Sequence, residues 1–174
     1  IAYIHINTHY DHNSSDYVNV LGVKQVKKKA DELSLLYGAP IIISGDMNAT
    51  EADQAYAYMS DEKNGYLNAK YITSNHSTLS TSAGFGIDYN PLATDVIDHI
   101  FVSAGLVGVY KHDIIVNPYL SDHSAVYTEL NLTAMPKLHS LQINNVPVDG
   151  FAENKFKYNV FLSSSNAEFI LTFP

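Results

Sequence analysis

The chain has 174 residues, 46% of them hydrophobic and 16% charged, with a formal net charge of −8. That balance predicts one main globular domain with a buried core and excludes a disordered chain. With no arginine and an acidic surplus it argues against a broad nucleic-acid-binding surface, and with no cysteine it excludes disulfides and thiolate metal sites.

No apolar run approaches the roughly 18 residues that a membrane span needs. The sequence opens directly in a strand pattern, which sets the expectation that the natural N-terminus lies upstream. From Ile1 to Thr8 the residues alternate, with Ala2, Ile4, Ile6 and Thr8 on one face and Tyr3, His5, Asn7 and His9 on the other. Such a period of two predicts a strand packed mainly on one side. From Val18 to Tyr37 the apolar spacing becomes helical, stepping through Val23, Val26, Ala30, Leu33 and Tyr37. Gly38 and Pro40 then end the helix. Ile41-Ile42-Ile43 reads as a short buried strand running into a turn at Gly45-Asp46-Met47-Asn48. Thr50, with Asp53 three residues on, predicts an N-cap for a helix reaching about Met59. Residues 63–94 are rich in Asn, Ser, Thr and Gly and read mostly as loop, of the length that is functional or hides short strands. Strands follow at Val96–Val102, Val107–Val116 and Ser124–Leu132, so the order of elements predicts helices packed on a mixed sheet.

The composition changes near Thr133-Ala134-Met135-Pro136, read as a linker. Residues 1–133 hold seven lysines and fifteen acids, whereas residues 134–174 hold three of each. The tail shows short alternating runs separated by Asn-Asn, Asp-Gly and Ser-Ser-Ser-Asn, which is hairpin material. At 41 residues without cysteine it lies near the lower limit for independent folding, and reads as the beginning of a larger β-sandwich. The predicted domains are therefore 1–133 and 134–174.

Four segments place carboxylate, His or Asn at strand ends: Asn7-Thr8-His9-Tyr10-Asp11-His12, Gly45-Asp46-Met47-Asn48, Asp98-His99-Ile100 and Ser121-Asp122-His123-Ser124. Loops at strand ends are where sites are usually built. Phosphate-ester hydrolysis needs this set of groups. Hard oxygen donors suit Mg²⁺, a cation and neutral donors take up charge on the phosphoryl oxygens, and a His moves the proton. An Asp bonded to that His fixes its tautomer. Singly, each group has a plain structural reading: Asp46 as a turn carboxylate, Asn48 as an Asx-turn, His9 as a satisfied strand-end group, Asp98 as a charged strand edge, Asp122-His123 as a turn. Their occurrence together and in order is the signal.

The quartet NTHYDH, ISGDMNA, IDHIFVS and LSDHSAV resembles the endonuclease/exonuclease/phosphatase superfamily, the DNase I-like fold, over roughly residues 1–132. The resemblance implies an α+β protein built as a four-layer α/β/β/α sandwich, here its C-terminal half, with a partial all-β sandwich after it. It also implies Mg²⁺-dependent hydrolysis of a phosphodiester or phosphomonoester by an activated water, with Ca²⁺ or Mn²⁺ as substitutes. By the same resemblance, His9 contacts the scissile phosphate and can act as acid, and Asn7 and Asn48 hold phosphate oxygens. Asp46 orients the attacking water, Asp98 pairs with the final histidine, Asp122 lies near the metal, and His123 is base or phosphate ligand. Which histidine is acid and which base stays open. The family's metal-binding Glu and Asn lie on strands ahead of the NTH segment and are not in this sequence. The expectation is that the missing N-terminal half of the domain is a required partner and that this chain alone is inactive.

The tail is similar to the start of cadherin-like β-sandwich modules of bacterial secreted enzymes, which implies an extracellular or cell-surface setting. Nuclease, lipid phosphodiesterase and phosphatase all fit the core. The acidic balance favours a small or lipid-linked phosphoester, with nucleic acid possible but not favoured. The alternative is a non-catalytic surface protein binding glycans or proteins through the sandwich; the intact quartet argues against it. Serine-hydrolase chemistry lacks its Gly-x-Ser-x-Gly elbow at Ser44, and a zinc hydrolase lacks its His-Glu-x-x-His. His5 is expected to be packed, His12 and Asp11 to be solvated, and Lys27-Lys28-Lys29 to be a solvated helix face. Tyr89 and Phe85 serve a pocket or simple packing equally well. Gly84-Phe85-Gly86 is too short for a phosphate cradle. His76, His112 and His139 have no nameable partner.

Overall fold

The computed structural model describes residues 2–13, 15–93, 95–117 and 119–132, together with the backbone at 140–143, 146–147 and 169–172. The first strand, β1 (Ile4–His9), alternates as expected, its odd positions exposed. His5 is therefore exposed rather than packed, and its Nε2 lies 2.7 Å from Ser44 Oγ. Helix α1 (Asp16–Tyr37) buries Val23 and Ala30 completely, with Val26 and Leu33 partly covered. Tyr37, expected on that same face, is half exposed. The helix ends at Gly38, whose φ of 59° favours a residue without Cβ and whose N–H donates to the Ser34 carbonyl at 2.8 Å.

Strand β2 (Ile41–Asp46) runs parallel to β1 and three residues further than the expected Ile41–Ile43, so Gly45 and Asp46 belong to the strand, not the turn. Helix α2 (Gln54–Ser60) starts later than expected, with Asp53 rather than Thr50 at its N-cap. The reason is tertiary. Thr50 instead donates its N–H and hydroxyl to the Asp53 carboxylate at 2.7 and 2.8 Å, while the first helical N–H groups, of Gln54 and Ala55, reach the Asp16 carboxylate of α1 at 3.2 Å. The expected loop holds β3 (Tyr66–Asn68) and α3 (Ala69–Ile72), both too short to leave a period in the sequence. Then come β4 (Asp98–Ser103), β5 (Val107–Ile115) and β6 (Ala125–Leu132).

One sheet has the order β1-β2-β4-β3, with β4 antiparallel to both β2 and β3. A second sheet pairs β5 and β6 antiparallel, with a register shift between Val109 and Lys111 that leaves Tyr110 bulged outward. Strand β2 explains the layering. Ile41 and Ile43 enter the core with α1 and α2, and Ile42 enters a second core with Val102 and Val107 on the side of β5 and β6. Each fully buried side chain of this size contributes about 1.5–3 kcal/mol. The described layers are thus helices, sheet and sheet. The outward positions of β6, Tyr127, Glu129 and Asn131, are exposed, so no fourth helical layer covers them among the described residues. The tail contributes β7 (Ser140–Ile143), β8 (Val146–Pro147) and β9 (Phe169–Thr172), paired antiparallel in the order β8-β7-β9. The linker at 133–136 and the cadherin-like resemblance of the tail, His139 included, fall on residues outside the described ones. No helix among the described residues is long and apolar enough to cross a membrane.

His112 of β5 is buried, with Nδ1 2.9 Å from Thr128 Oγ1. Burial first, then the charges of Lys70, His76 and His99, push its pKa from 6.5 down to about 4. In the unfolded chain His112 takes up its proton near 6.5, whereas the folded protein resists until about 4. Stability is therefore lost as the pH falls between those values, by about 3 kcal/mol in all from this group. Urea midpoints measured from pH 7 to pH 4 should fall less steeply for His112→Gln than for the wild type; parallel curves would show that His112 is not the acid-sensitive group.

Candidate active site

Register puts three of the predicted residues in one row. His9 of β1 pairs with Asp46 of β2, and Asp46 pairs with Asp98 of β4. Three adjacent strands thus end at the same level, each with a polar side chain. Gly45 makes this approach possible. It sits opposite Thr8 at a φ of +143°, and a Cβ there would lie 1.8 Å from the Thr8 carbonyl oxygen.

Beyond Asp46 the chain turns sharply. Asn48 is in the left-handed region at φ 43°, with its N–H donating to Asp46 Oδ1 at 2.8 Å. This is the Asx-turn reading of the sequence, and it also leaves Asp46 Oδ2 facing the site. The Asn48 side-chain amide donates to the Tyr10 carbonyl at 2.6 Å, and the Asn48 backbone carbonyl accepts from the Asn19 side chain of α1 at 3.4 Å. Its second side-chain amide hydrogen has no partner among the described residues.

His123 comes from a different part of the chain. A bridge between Ser82 and His123, flanked by Ala83 N–H to the Asp122 carbonyl and Ser124 N–H to the Thr81 carbonyl, fastens the 121–124 turn to the 80–95 loop. Thr81 Oγ1 accepts from the N–H groups of Ile97 and Asp98 at 2.9 and 3.1 Å, so one loop positions both Asp98 and His123. His123 Nδ1 donates to Asp98 Oδ2 at 2.8 Å. Its Nε2 lies 3.9 Å from Asp46 Oδ2, and His9 Nε2 lies 3.4 Å from the same oxygen. Two imidazoles therefore converge on one carboxylate oxygen. Partial burial works against charge on His123, but the hydrogen bond to Asp98 and the charges of Asp98, Asp46 and Asp122 outweigh it and raise its pKa above 6.5.

Asp46, Asp98 and His123 could hold a metal ion, since one ligand atom from each lies within 4.8 Å of the others. Two hard carboxylates among three donors fit a cation such as Mg²⁺. Asp122 lies outside this trio; it is exposed, and its charge contributes to raising the His123 pKa. Asn7 lines a cavity of about 390 Å³ together with Asp98, His123, Ser44 and Ser121, but its amide donates to the Ser44 carbonyl and Oγ at 3.2 and 3.1 Å.

The structure adds residues that the sequence reading left without roles: Ser44, held by His5 and Asn7; Thr81, beneath Asp98; and Ser121, whose Oγ accepts the His123 N–H at 3.0 Å. Ser121 was legible as a Ser two residues ahead of its acceptor turn; Thr81 acts across sixteen or more residues and leaves no local signal. Tyr89 borders the site through its hydroxyl, 3.3 Å from Ser124 Oγ, while Phe85 is exposed. His12 is exposed beside Asn13 and Asp11, as expected of solvated groups. Of the lysine run, Lys27 is largely covered, bonded to Asp31 and set over the Tyr66 ring, so it is not simply solvated. His76 finds the Thr73 carbonyl at 2.8 Å.

No protein-family model and no curated protein matches this chain by sequence. Solved structures do match by fold. A mannosyl-6-phosphatase of Bacteroides thetaiotaomicron is 25% identical with a TM-score of 0.65, covering 74% of this chain and 51% of its own. An endonuclease/exonuclease/phosphatase family protein of the same organism is 25% identical with a TM-score of 0.64, covering 72% and 47%. The D. rerio TDP2 complexed with single-strand DNA product is 18% identical with a TM-score of 0.56, covering 73% and 55%. The structural neighbours are therefore endonuclease/exonuclease/phosphatase proteins, and the mixed two-sheet architecture agrees with the DNase I-like fold. The chain spans about half the length of these structures.

Two measurements probe this geometry. Gly45→Ala forces a Cβ onto the Thr8 backbone at a φ unsuited to alanine, and should lower stability by at least about 2 kcal/mol in denaturant melts; a neutral result would mean that β1 and β2 are not this close. In the metal-free protein, NMR titration should place the His123 pKa above 6.5, and Asp98→Asn should lower it. An Asp98→Asn protein with an unmoved His123 would disprove the dyad.

Proposed function

We propose that this chain carries the phosphate-handling half of a hydrolase that splits a phosphoester with water. The convergence of His9 and His123 on Asp46 Oδ2, with Asp98 holding the far side of His123, is the single observation that carries the reading. Asp46 Oδ1 is committed to the Asn48 N–H, so Oδ2 is the oxygen that orients the attacking water and accepts its proton. As the water oxygen bonds to phosphorus, the bond to the leaving oxygen breaks. His123, whose pKa the hydrogen bond to Asp98 raises, presents Nε2–H to the phosphoryl oxygens. His9, the more exposed imidazole, stands where it can contact the phosphate and protonate the leaving oxygen. Asn48 offers its remaining amide hydrogen to a phosphoryl oxygen. A divalent cation, Mg²⁺ by preference and Ca²⁺ or Mn²⁺ by substitution, would be held by the carboxylate oxygens of Asp46 and Asp98, because His123 donating from both ring nitrogens has no lone pair to offer, and would neutralise charge on the phosphoryl group.

A small phosphomonoester is the favoured substrate class. The acidic surplus, the missing arginines and the 25% identity to a mannosyl-6-phosphatase support it over a nucleic acid. Lipid-linked phosphodiesters stand second. The proposal includes a further segment that completes the domain. The exposed row of β1, His5 and Asn7, and the edge of β6 that no described strand pairs are the surfaces on which it would pack. An extracellular or cell-surface bacterial setting rests on the resemblance of the tail alone.

The test uses the complete protein containing this chain, with an activated phosphomonoester and an activated phosphodiester, in Mg²⁺ and in chelator. Turnover should be lost in chelator, should fall by about 10²-fold or more for His123→Ala, and should be faster on the monoester. Absence of turnover on both esters would transfer the protein to the non-catalytic reading, with glycan binding as its next assay.

A further inference from the structure

A buried chain of hydrogen bonds reaches the Asp46–Asn48 turn from behind. His99 is 2% exposed, packed against the rings of Tyr56 and Phe101 at centroid distances of 4.9 and 5.9 Å. Its Nε2 lies 2.8 Å from the Ala49 carbonyl oxygen, and its Nδ1 lies 3.4 Å from Asn68 Nδ2. The direction of every bond follows from the one end that cannot change. The Lys70 backbone N–H can only donate, and it donates to Asn68 Oδ1 at 3.0 Å. Asn68 therefore turns its amide nitrogen towards His99 and the Tyr56 hydroxyl, 3.3 Å away. The His99 Nδ1 must then accept, so Nε2 carries the hydrogen that the Ala49 carbonyl requires.

Ala49 follows directly on Asn48, the described residue without glycine's freedom that holds a positive φ. That conformation costs on the order of 1 kcal/mol unless its surroundings enforce it. The same α3 segment grips the turn a second time on the outside. Lys70 Nζ and Tyr71 OH donate to the two oxygens of Glu51, at 2.8 and 2.5 Å.

We infer that His99 is a positioning residue, which by holding the Ala49 carbonyl, with Asn68 fixing its ring, keeps Asn48 in its left-handed turn and so keeps Asp46 aimed. His99 touches no reacting atom in this scheme; it acts through the turn. The kinetic part of the inference rests on the phosphoesterase reading, and the part concerning the turn does not.

The experiment takes the complete protein and its variants His99→Gln and His99→Leu. Glutamine retains a donor near the position of Nε2, and leucine retains only bulk. Nitrogen-15 spectra of the wild type should show His99 as the Nε2–H tautomer. Exchange of the Asn48 amide hydrogen should accelerate by about tenfold for His99→Leu, relative to the amides of Ile42 and Ile43, and by no more than about threefold for His99→Gln. Turnover should follow, with kcat down about tenfold for leucine, nearly kept for glutamine, and KM little changed in both. An Nδ1–H tautomer overturns the inference. So does a leucine variant with wild-type Asn48 exchange, or a glutamine variant as impaired as leucine. Should His99→Leu not fold, Asn68→Ala replaces it: faster Asn48 exchange supports the relay and unchanged exchange overturns it. If the tautomer and exchange agree while the wild type turns over neither ester, the relay stands and the phosphoesterase reading falls.

Discussion

The register of β2 between its two neighbours is the constraint on which the rest depends. Parallel pairing with β1 and antiparallel pairing with β4 put His9, Asp46 and Asp98 at one level. A slip of one residue on either side would turn a side chain to the opposite face of the sheet. Such a slip is prevented by burial. Ile41 and Ile43 fit the helical core and Ile42 fits the core between the sheets, so β2 has no face that tolerates a shift. The steric contact of Gly45 with Thr8 reinforces the same alignment at the end where the site is built. Hydrophobic packing that has nothing to do with chemistry thus delivers the geometry that chemistry uses.

The electrostatics of the site are local and opposed. His123 sits between Asp98 and Asp46, whose charges outweigh partial burial and favour its imidazolium form. His99, one residue from Asp98, experiences the reverse, because its burial dominates and lowers its pKa. The pKa values of two histidines within one cluster are thereby moved in opposite directions. Backbone strain at Asn48 is concentrated at the same place and is sustained by contacts from three directions: Asn19 of α1, Tyr10 beyond β1, and the neighbouring Asp46.

Much of this was legible along the chain. The period of two in β1, the helical spacing of α1 and its glycine stop are local properties, set by propensity and by which face must be buried. The four polar segments were legible too, because each marks the end of a strand. The start of α2 was not, since Asp16, 38 residues earlier, caps it. Strand β3 and helix α3 were not, because three and four residues are too few to show a period. His5 was misjudged as packed because alternation gives the face of a side chain but not what covers that face.

The sequence by itself determined the types of group available: two histidines, three aspartates and asparagines at strand ends, and an acidic surface without arginine. Only the tertiary structure decided their relations. It selected Asp98 as the partner of His123, placed Asp122 outside the trio, committed Asn7 to Ser44, and linked His99 to the Ala49 carbonyl. Each of these contacts spans 25 or more residues, except the placing of Asp122, which depends on which way one residue of a turn faces. Local propensity carries no information about such distances; the packing of β2 between two cores does.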